Sequence, residues 1–261
     1  MKATRIMDKQ VIIDCFPESA RRYGAGYAVV AIDVIRATTS AITAAALGRD
    51  CYTVESLDTA FALARRLDNP LLVGELAGDM PDGFHMNNSP VDLVARTDVF
   101  RPVVLLSTSG TRLIHEARQA DAVFLACFRN FSYTARYLAT RYRRIAVIGA
   151  GSRGEFREED QMCCAWVAGQ LQAAGFAACG AQTEEVIAKW RGAPPDACAT
   201  GNSARYLRRS GQARDLDFVL TRIDDLAEAF QMRGQLVTGS SMKLRAVSAP
   251  VASRQREVAS A

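Results

Sequence analysis

The chain has 261 residues, 49% of them hydrophobic, and a formal net charge of +4. This length suits one large α/β domain or two small ones. Apolar runs stay short of the ~18 residues of a membrane span, the N-terminal stretch lacks the apolar core of a secretory signal, and the scattered arginines lack the aromatic interleaving of a nucleic-acid surface. We therefore expect a cytoplasmic protein that binds neither membrane nor nucleic acid. The seven cysteines include no CxxC pair, and most of them are expected to be small buried side chains.

Short apolar runs alternate with helical patterns along most of the chain. Strands are predicted at 11–16, 27–32, 50–56, 70–75, 101–108, 121–128 and 143–151. Helices are predicted at 39–48, 57–69, 111–119, 132–142 and 158–175. This cadence predicts an α/β fold with a mostly parallel sheet and helices on both faces. From residue 236 the composition shifts to Ser, Ala and Arg without periodicity, which predicts one domain over 1–235 and a mobile or loosely docked tail over 236–261.

Four acids stand where the predicted strands end. Asp33 and Glu75 follow apolar runs, and Glu159 and Asp160 open the helix after the run at 143–151. In an open α/β sheet, ligands bind beyond the carboxyl ends of the strands. Carboxylates that converge there are costly unless a hard divalent cation neutralises them. Mg²⁺ beside phosphate-binding arginines would be consistent with phosphoryl transfer.

The motif GAGSRG (149–154) matches the dinucleotide fingerprint GxGxxG after a strand. A nucleotide-binding oxidoreductase centred on Gly149, Gly151 and Gly154 is therefore one alternative. The chain continues with EFREED, however, and its four carboxylates repel a pyrophosphate unless a cation intervenes. We therefore interpret the motif as something other than a dinucleotide site.

Two smaller patterns are also open to a chemical interpretation. CFPESAR (15–21) has the Cx5R spacing of cysteine-dependent phosphatases, but Pro17 removes an amide and Glu18 adds the wrong charge, so we reject it. STSGTR (107–112) follows a strand, and its hydroxyls either hold a phosphate or simply cap the next helix.

The two histidines do not have the spacing of a metal pair. His115 falls within a helical pattern and is interpreted as structural. His85 lies in a long polar loop, where it is either a proton donor or part of an exposed turn.

Several segments, in order, resemble the 2-phosphosulfolactate phosphatase family. They are IDVIRATTS (32–40), GELAGDMPDGFHMNNSP (74–90), STSGT (107–111), GAGSRGEFREEDQMCCAWVAG (149–169) and GNSARYLRRSGQARDLDFVL (201–220). The resemblance runs from about residue 11 to about residue 220. It implies Mg²⁺-dependent hydrolysis of the phosphate ester of a small sulfonated hydroxy acid, on the way to coenzyme M.

The resemblance also implies roles for individual residues. Asp33, Glu75 and Asp160 match acids of the family's motifs and become the candidate metal ligands. Arg36 becomes the candidate phosphate clamp and, with Asp33 and Glu159, a candidate catalytic residue. The candidate substrate-binding residues are Arg36, Thr38, Thr39, Asn88, Ser89, Ser109, Gly110 and Thr111.

Two positions depart from the family's pattern. Ser109 stands where the family has asparagine, and Leu76 stands where an arginine often follows the GE pair. These departures leave the substrate open between a sulfonated and a carboxylated phospho-acid. They also leave a non-catalytic relative that binds an anionic ligand as an alternative.

The leading prediction is a Mg²⁺-dependent phosphatase in which water attacks the phosphate in line and Arg36 counters the charge on its oxygens. No covalent nucleophile is predicted. A homodimer is also a possible assembly.

Overall fold

The computed structural model describes residues 9–241, which build one continuous ten-stranded sheet. The strands are β1 (Gln10–Cys15), β2 (Ala28–Ile32), β3 (Cys51–Val54), β4 (Leu71–Gly74), β5 (Val103–Leu106), β6 (Ala122–Ala126), β7 (Arg144–Gly149), β8 (Ala177–Ala178), β9 (Phe230–Arg233) and β10 (Leu236–Gly239).

Nine α-helices lie within the described residues. They are α1 (Ala37–Ala46), α2 (Leu57–Ala64), α3 (Pro90–Ala95), α4 (Gly110–Glu116), α5 (Phe131–Ala139), α6 (Glu158–Ala173), α7 (Ala181–Trp190), α8 (Asn202–Arg209) and α9 (Ala213–Thr221). Short 3-10 turns cover Pro17–Arg22, Ala117–Gln119 and Pro195–Cys198.

The sheet consists of two parallel halves joined by an antiparallel hairpin. Its order is β4-β5-β3-β10-β9-β6-β2-β7-β1-β8. The strands within β4-β5-β3 and within β6-β2-β7-β1-β8 pair in parallel, whereas β9 and β10 pair antiparallel with each other and with both halves. The predicted mostly parallel α/β fold is confirmed.

Helices cover both faces of this sheet, because its central strands are apolar on both sides. In β2 every residue is buried, and alternate side chains enter different cores. Val30 and Ile32 pack with α5, α6 and α7, whereas Val29 and Ala31 pack with α1 and α4. The period of two along the strand therefore fixes the two layers.

The helices begin and end at residues whose local chemistry explains the boundary. Ser56 caps α2, its hydroxyl accepting from the Thr59 amide at 3.2 Å. Gly48 follows α1 with a φ of 82°, a left-handed conformation that glycine adopts readily, and donates to the Ala45 carbonyl. The predicted end of this helix at Gly48 agrees with the structure to within two residues.

One predicted boundary is wrong. The sequence predicts that a tail begins at residue 236, but Leu236–Gly239 is strand β10, inserted between β9 and β3. Its backbone amides and carbonyls pair with β9 and β3 and so complete the hydrogen-bond ladder between the two parallel halves. Its sequence is too short and too weakly patterned to predict this role. The rest of the predicted tail, from residue 242, lies outside the described residues. None of the helices formed by residues 9–241 is long and apolar enough to cross a membrane.

Candidate active site

A cavity of about 430 Å³ opens where β2, β4, β5 and β7 end. Parallel strands direct their carboxyl ends to one edge of a sheet, and the loops that follow form the cavity wall. The charged and polar side chains on this wall are Asp33, Arg36, Glu75, Asn88, Thr108, Ser109, Ser152, Arg153, Glu155, Arg157, Glu159, Asp160, Asn202, Ser203, Tyr206 and Arg209.

Asp33 lies in the cavity wall directly after β2. Its Oδ1 accepts a hydrogen bond from the Ala37 amide at 3.1 Å. A Cβ on Gly110 would lie 2.3 Å from Asp33 Oδ2, so glycine is what allows α4 to begin so close to this carboxylate. Burial, helped by the charges of Glu75 and Glu159, raises the pKa of Asp33 to about 7 against the opposing Ala37 hydrogen bond.

Asp160 is held rigidly in the first turn of α6. Its Oδ1 accepts from the Val34 amide at 2.9 Å and its Oδ2 from the Gly151 amide at 3.1 Å. The carboxylate thus joins the loop after β2 to the loop after β7. Burial, followed by the charges of Asp33 and Glu159, holds the pKa of Asp160 well above its usual range.

Glu159 is the most deeply buried acid of the cavity wall, with 1% of its surface exposed. Its Oε2 has no hydrogen-bond partner among residues 9–241. Burial raises its pKa, although the Ser203 side chain donates to the carboxylate and opposes the shift. A buried carboxylate oxygen without a partner is costly and needs an explanation, such as an ion or substrate that completes it.

Glu75 also lines the cavity and connects two loops. Its Oε1 accepts from the Thr108 amide at 2.7 Å, and its Oε2 accepts from the Thr108 hydroxyl at 2.9 Å and the Gly78 amide at 2.8 Å. Glu75 therefore ties the end of β4 to the end of β5. Its predicted role as a metal ligand stays a prediction, and bracing these loops is a second role that the structure adds.

The acids of the cavity suit a cation that needs only one or two ligands from the protein. Within the described part of the chain, no three His, Cys, Asp or Glu side chains form a ready-made metal-binding group. Mg²⁺ does not require one, because it is commonly held by one or two carboxylates, several waters and substrate phosphate oxygens. The crowded acids and the unpartnered Glu159 oxygen are what such a cation would stabilise.

Arg36 lines the same cavity and is 4% exposed. Its Nη1 is ion-paired with Asp215 of α9, and its Nη2 donates to Asn87 Oδ1 at 2.8 Å. The peptide bond that precedes it is cis. These two bonds use two of the five N–H groups of a guanidinium, so donors remain for an anion in the cavity.

Asn88 and Ser109, both predicted to bind substrate, lie on the cavity wall. Asn88 is buried, and its Oδ1 has no hydrogen-bond partner within residues 9–241. This oxygen is therefore available to accept from a ligand. Gly110 is not a wall residue, but its missing side chain makes room for Asp33.

Two of the predicted substrate-binding threonines face the protein interior instead. The Thr38 hydroxyl donates to the Asp33 and Ala126 carbonyls, and the Thr39 hydroxyl donates to the Val34 carbonyl at 2.8 Å. Both side chains are buried and lie off the cavity wall. The structure thus corrects these predictions, because the hydroxyls satisfy backbone groups around the start of α1.

Ser89 and Thr111 are corrected for a similar reason. The Ser89 hydroxyl caps α3 by accepting from the Asp92 amide at 3.1 Å, and donates to Asp215 at 2.6 Å. Thr111 Oγ1 accepts from the Ser107 amide and donates to the Ser107 carbonyl. STSGTR was open to two interpretations, phosphate binding or capping of the next helix. Hydrogen bonds at the start of α4 explain Thr111, whereas Ser109 lies on the cavity wall, where phosphate binding remains open to it.

The glycine motif does not form a dinucleotide site. Helix α6 begins only at Glu158, after a turn in which Ser152 pairs with Glu155. The Gly151 amide, which would face a pyrophosphate in the fingerprint, donates to Asp160 instead. A Cβ on Gly151 would meet the Glu155 carbonyl at 2.7 Å, so this glycine serves a tight turn. The oxidoreductase alternative therefore loses its structural basis.

The remaining candidates lie outside the cavity. Burial and the Asp14 charge raise the pKa of Cys15 to about 11, which agrees with the rejection of the Cx5R motif. His85 is exposed, its Nδ1 accepts from the Leu72 amide at 3.0 Å, and it lies off the cavity wall, so the structure gives the proton-donor hypothesis no support. His115 contacts the Thr53 carbonyl at 2.9 Å, as a structural residue does.

Sequence reasoning missed several residues of the cavity wall and one residue that supports it. The missed wall residues include Arg153, Arg157, Asn202, Ser203, Tyr206 and Arg209, and the missed supporting residue is Asp215, the partner of Arg36. Arg153 and Arg157 lie in the segment that contains the glycine motif and its acids. The others lie in 201–220, where the density of arginines is the signal that could have identified them.

Comparison with known proteins gives one consistent result. A family model described as 2-phosphosulpholactate phosphatase matches residues 15–231. A probable 2-phosphosulfolactate phosphatase of Symbiobacterium thermophilum is 34% identical over 203 residues, which cover 74% of this chain and 86% of that protein. Similarly named proteins of Carboxydothermus hydrogenoformans and Deinococcus radiodurans are 29% and 32% identical, covering 84% and 72% of this chain and 92% and 80% of those proteins.

Proposed function

The chain belongs to the 2-phosphosulpholactate phosphatase family and is a phosphoric monoester hydrolase, and we propose that it is a Mg²⁺-dependent enzyme acting on 2-phosphosulfolactate or a close analogue. One observation supports this proposal most strongly. Two buried acids, one partly buried acid and a buried arginine line a single cavity at the carboxyl ends of the strands: Glu159 and Asp160, Asp33, and Arg36. A hydrolase of phosphate esters needs such a combination of negative and positive groups.

Asp33 and Asp160 are the proposed ligands of Mg²⁺, with Glu75 of the same cavity as a third candidate. Bound there, Mg²⁺ would polarise a phosphoryl oxygen and lower the pKa of a water molecule. The hydrogen bonds from Val34 and Gly151 fix the Asp160 carboxylate before any ligand arrives. Such preorganisation spares the site a reorganisation cost during the reaction.

Arg36 and Glu159 are proposed to act on the substrate and on water. Arg36 donates N–H groups to the phosphoryl oxygens and counters their negative charge. Water attacks phosphorus as the bond from phosphorus to the ester oxygen breaks, Glu159 takes the proton that the water loses, and the departing ester oxygen takes up a proton from solvent. A carboxylate whose pKa is raised by burial is a better base than an exposed one. The products are inorganic phosphate and the free hydroxy acid.

The cavity wall also carries arginines that support a substrate with a second anionic group. Arg153, Arg157 and Arg209 lie there, beside Asn202 and Ser203 at the start of α8. Arg157 is paired with Glu155, yet its Nε has no partner in the described chain. A sulfonate or carboxylate would use these donors while the phosphate lies near Arg36.

A comparison of substrates tests this assignment. The expected result is phosphate release from 2-phosphosulfolactate and from phospholactate. The kcat/KM for glycerol 2-phosphate should be lower by roughly a hundredfold or more, because this ester has no second anionic group for the arginines to bind. Initial rates of phosphate release, measured with Mg²⁺ present, give the ratios. Equal turnover of all three esters would contradict a second anionic subsite, and release from none would contradict the proposed function. The predicted cytoplasmic location, homodimer and place in coenzyme M synthesis stay predictions.

A further inference from the structure

Asp215 is a buried carboxylate for which the proposed reaction has no direct use. It lies in the first turn of α9 and is 3% exposed. Its Oδ2 accepts from Arg36, and its Oδ1 accepts from the Ser89 hydroxyl at 2.6 Å and the Val91 amide at 3.3 Å. The side chain is therefore fixed from two sides before it reaches Arg36.

Asp215 itself lies off the cavity wall, whereas Arg36 is part of it. A buried guanidinium without a counter-charge is strongly unfavourable, and one that is free to rotate loses its directional advantage for phosphate. The Asp215 carboxylate supplies the counter-charge, and the Asn87 side chain holds the other end of the fork at 2.8 Å. Together they leave Arg36 one orientation in which its remaining N–H groups can serve a ligand.

We propose that Asp215 is the positioning residue for the phosphate-binding arginine, so that α9 sets the phosphate affinity of a site that it does not touch. This inference rests on the proposed role of Arg36 in binding phosphate. A purely structural role, in which Asp215 only fastens α9 to the start of α3, would lower stability without changing phosphate affinity. The two roles therefore differ in a quantity that can be measured without turnover.

The test measures the Kd of inorganic phosphate by calorimetry with Mg²⁺ present, together with KM, kcat and Tm. Asp215→Asn keeps the shape of the side chain and removes the charge. It is expected to weaken phosphate binding roughly tenfold to a hundredfold, as partners of ligating groups commonly do. KM should rise by more than kcat falls.

Asp225→Asn is the matched control, because Asp225 holds another buried arginine, Arg129, through bonds of 2.9 and 2.7 Å away from the cavity. It is expected to lower Tm while leaving phosphate affinity within about twofold. If Asp215→Asn does not fold, Ser89→Ala loosens Asp215 without touching Arg36 and should shift the affinity in the same direction. In the double variant, Asp215→Asn should add little to Arg36→Lys, because it acts through that arginine.

Wild-type phosphate affinity in Asp215→Asn, or full additivity with Arg36→Lys, would overturn the positioning role while leaving the phosphatase assignment intact. The phosphatase assignment is contradicted by a different result: the wild-type chain releases phosphate from none of the esters. If the wild-type chain releases phosphate but Arg36→Lys binds phosphate as tightly as the wild type, the positioning role is also overturned.

Discussion

Replacing Asp33 with asparagine is expected to lower kcat/KM by roughly a thousandfold, because a metal site contributes several kcal/mol to the transition state and each ~1.4 kcal/mol is a factor of ten. Asparagine keeps the shape of the side chain and can still accept from the Ala37 amide. The variant should also lose most of the rise in Tm that Mg²⁺ gives the wild type. Phosphate release and thermal unfolding with and without Mg²⁺ measure both effects.

Asp14→Asn provides the control for this experiment. Asp14 also lies near the end of a parallel strand, β1, but it pairs with Tyr23 and Arg22 and lies off the cavity wall. Its replacement should leave the Mg²⁺ response unchanged. An Asp33→Asn protein with wild-type turnover would remove Asp33 from the site.

The raised pKa of Asp33 adds a pH dependence with a definite sign. In the metal-free folded protein this carboxyl keeps its proton up to about pH 7, whereas the unfolded chain loses it near pH 4. The folded state binds more protons in between, so the contribution of Asp33 to the free energy of unfolding falls as the pH rises from about 4 to about 7. Asp33→Asn should flatten this part of the profile in metal-free protein. Mg²⁺ should therefore raise Tm more at about pH 8 than at about pH 5.

Glu159→Gln is expected to have opposite effects on activity and on stability. Loss of the proposed base should lower kcat by roughly a hundredfold to ten-thousandfold. The same change removes a buried charge whose Oε2 has no partner in the described residues. Metal-free protein at neutral or higher pH should therefore be stabilised by about 1 kcal/mol, which raises Tm by roughly 2–4 °C for a chain of this size.

Glu158→Gln is the control for that variant. Glu158 precedes Glu159 in the same helix turn but is exposed, so its replacement should change neither kcat nor Tm appreciably. A Glu159→Gln protein that is both less stable and fully active would contradict the proposed role of this acid.

The sequence was sufficient for the seven strands β1–β7 and for the acids that follow them, but not for β8, β9 and β10. Strand β2 is apolar at every position, and Asp33 directly follows it, so the topological rule placed this residue correctly at the cavity. Glu75, Glu159 and Asp160 are at the same cavity for the same reason. Their roles as ligands or base remain predictions that the variants above address.

The sequence was insufficient wherever a side chain had two possible partners. Thr38 and Thr39 follow Asp33 closely, but whether their hydroxyls face a ligand or a carbonyl depends on how α1 begins. The partner of Arg36 lies 179 residues away, so only the fold brings the two together. Strand β10 was missed because its four residues, LVTG, gain their place from the ladders on both sides rather than from their own pattern.

Phosphate release by the wild-type chain during a Mg²⁺ titration tests most directly whether the acids and Arg36 of this cavity form one metal-assisted phosphatase site. After treatment with a chelator, release from 2-phosphosulfolactate or phospholactate is predicted to fall to the uncatalysed background and to return as Mg²⁺ is added. Full release by the chelated protein, unchanged by Mg²⁺, would contradict the account.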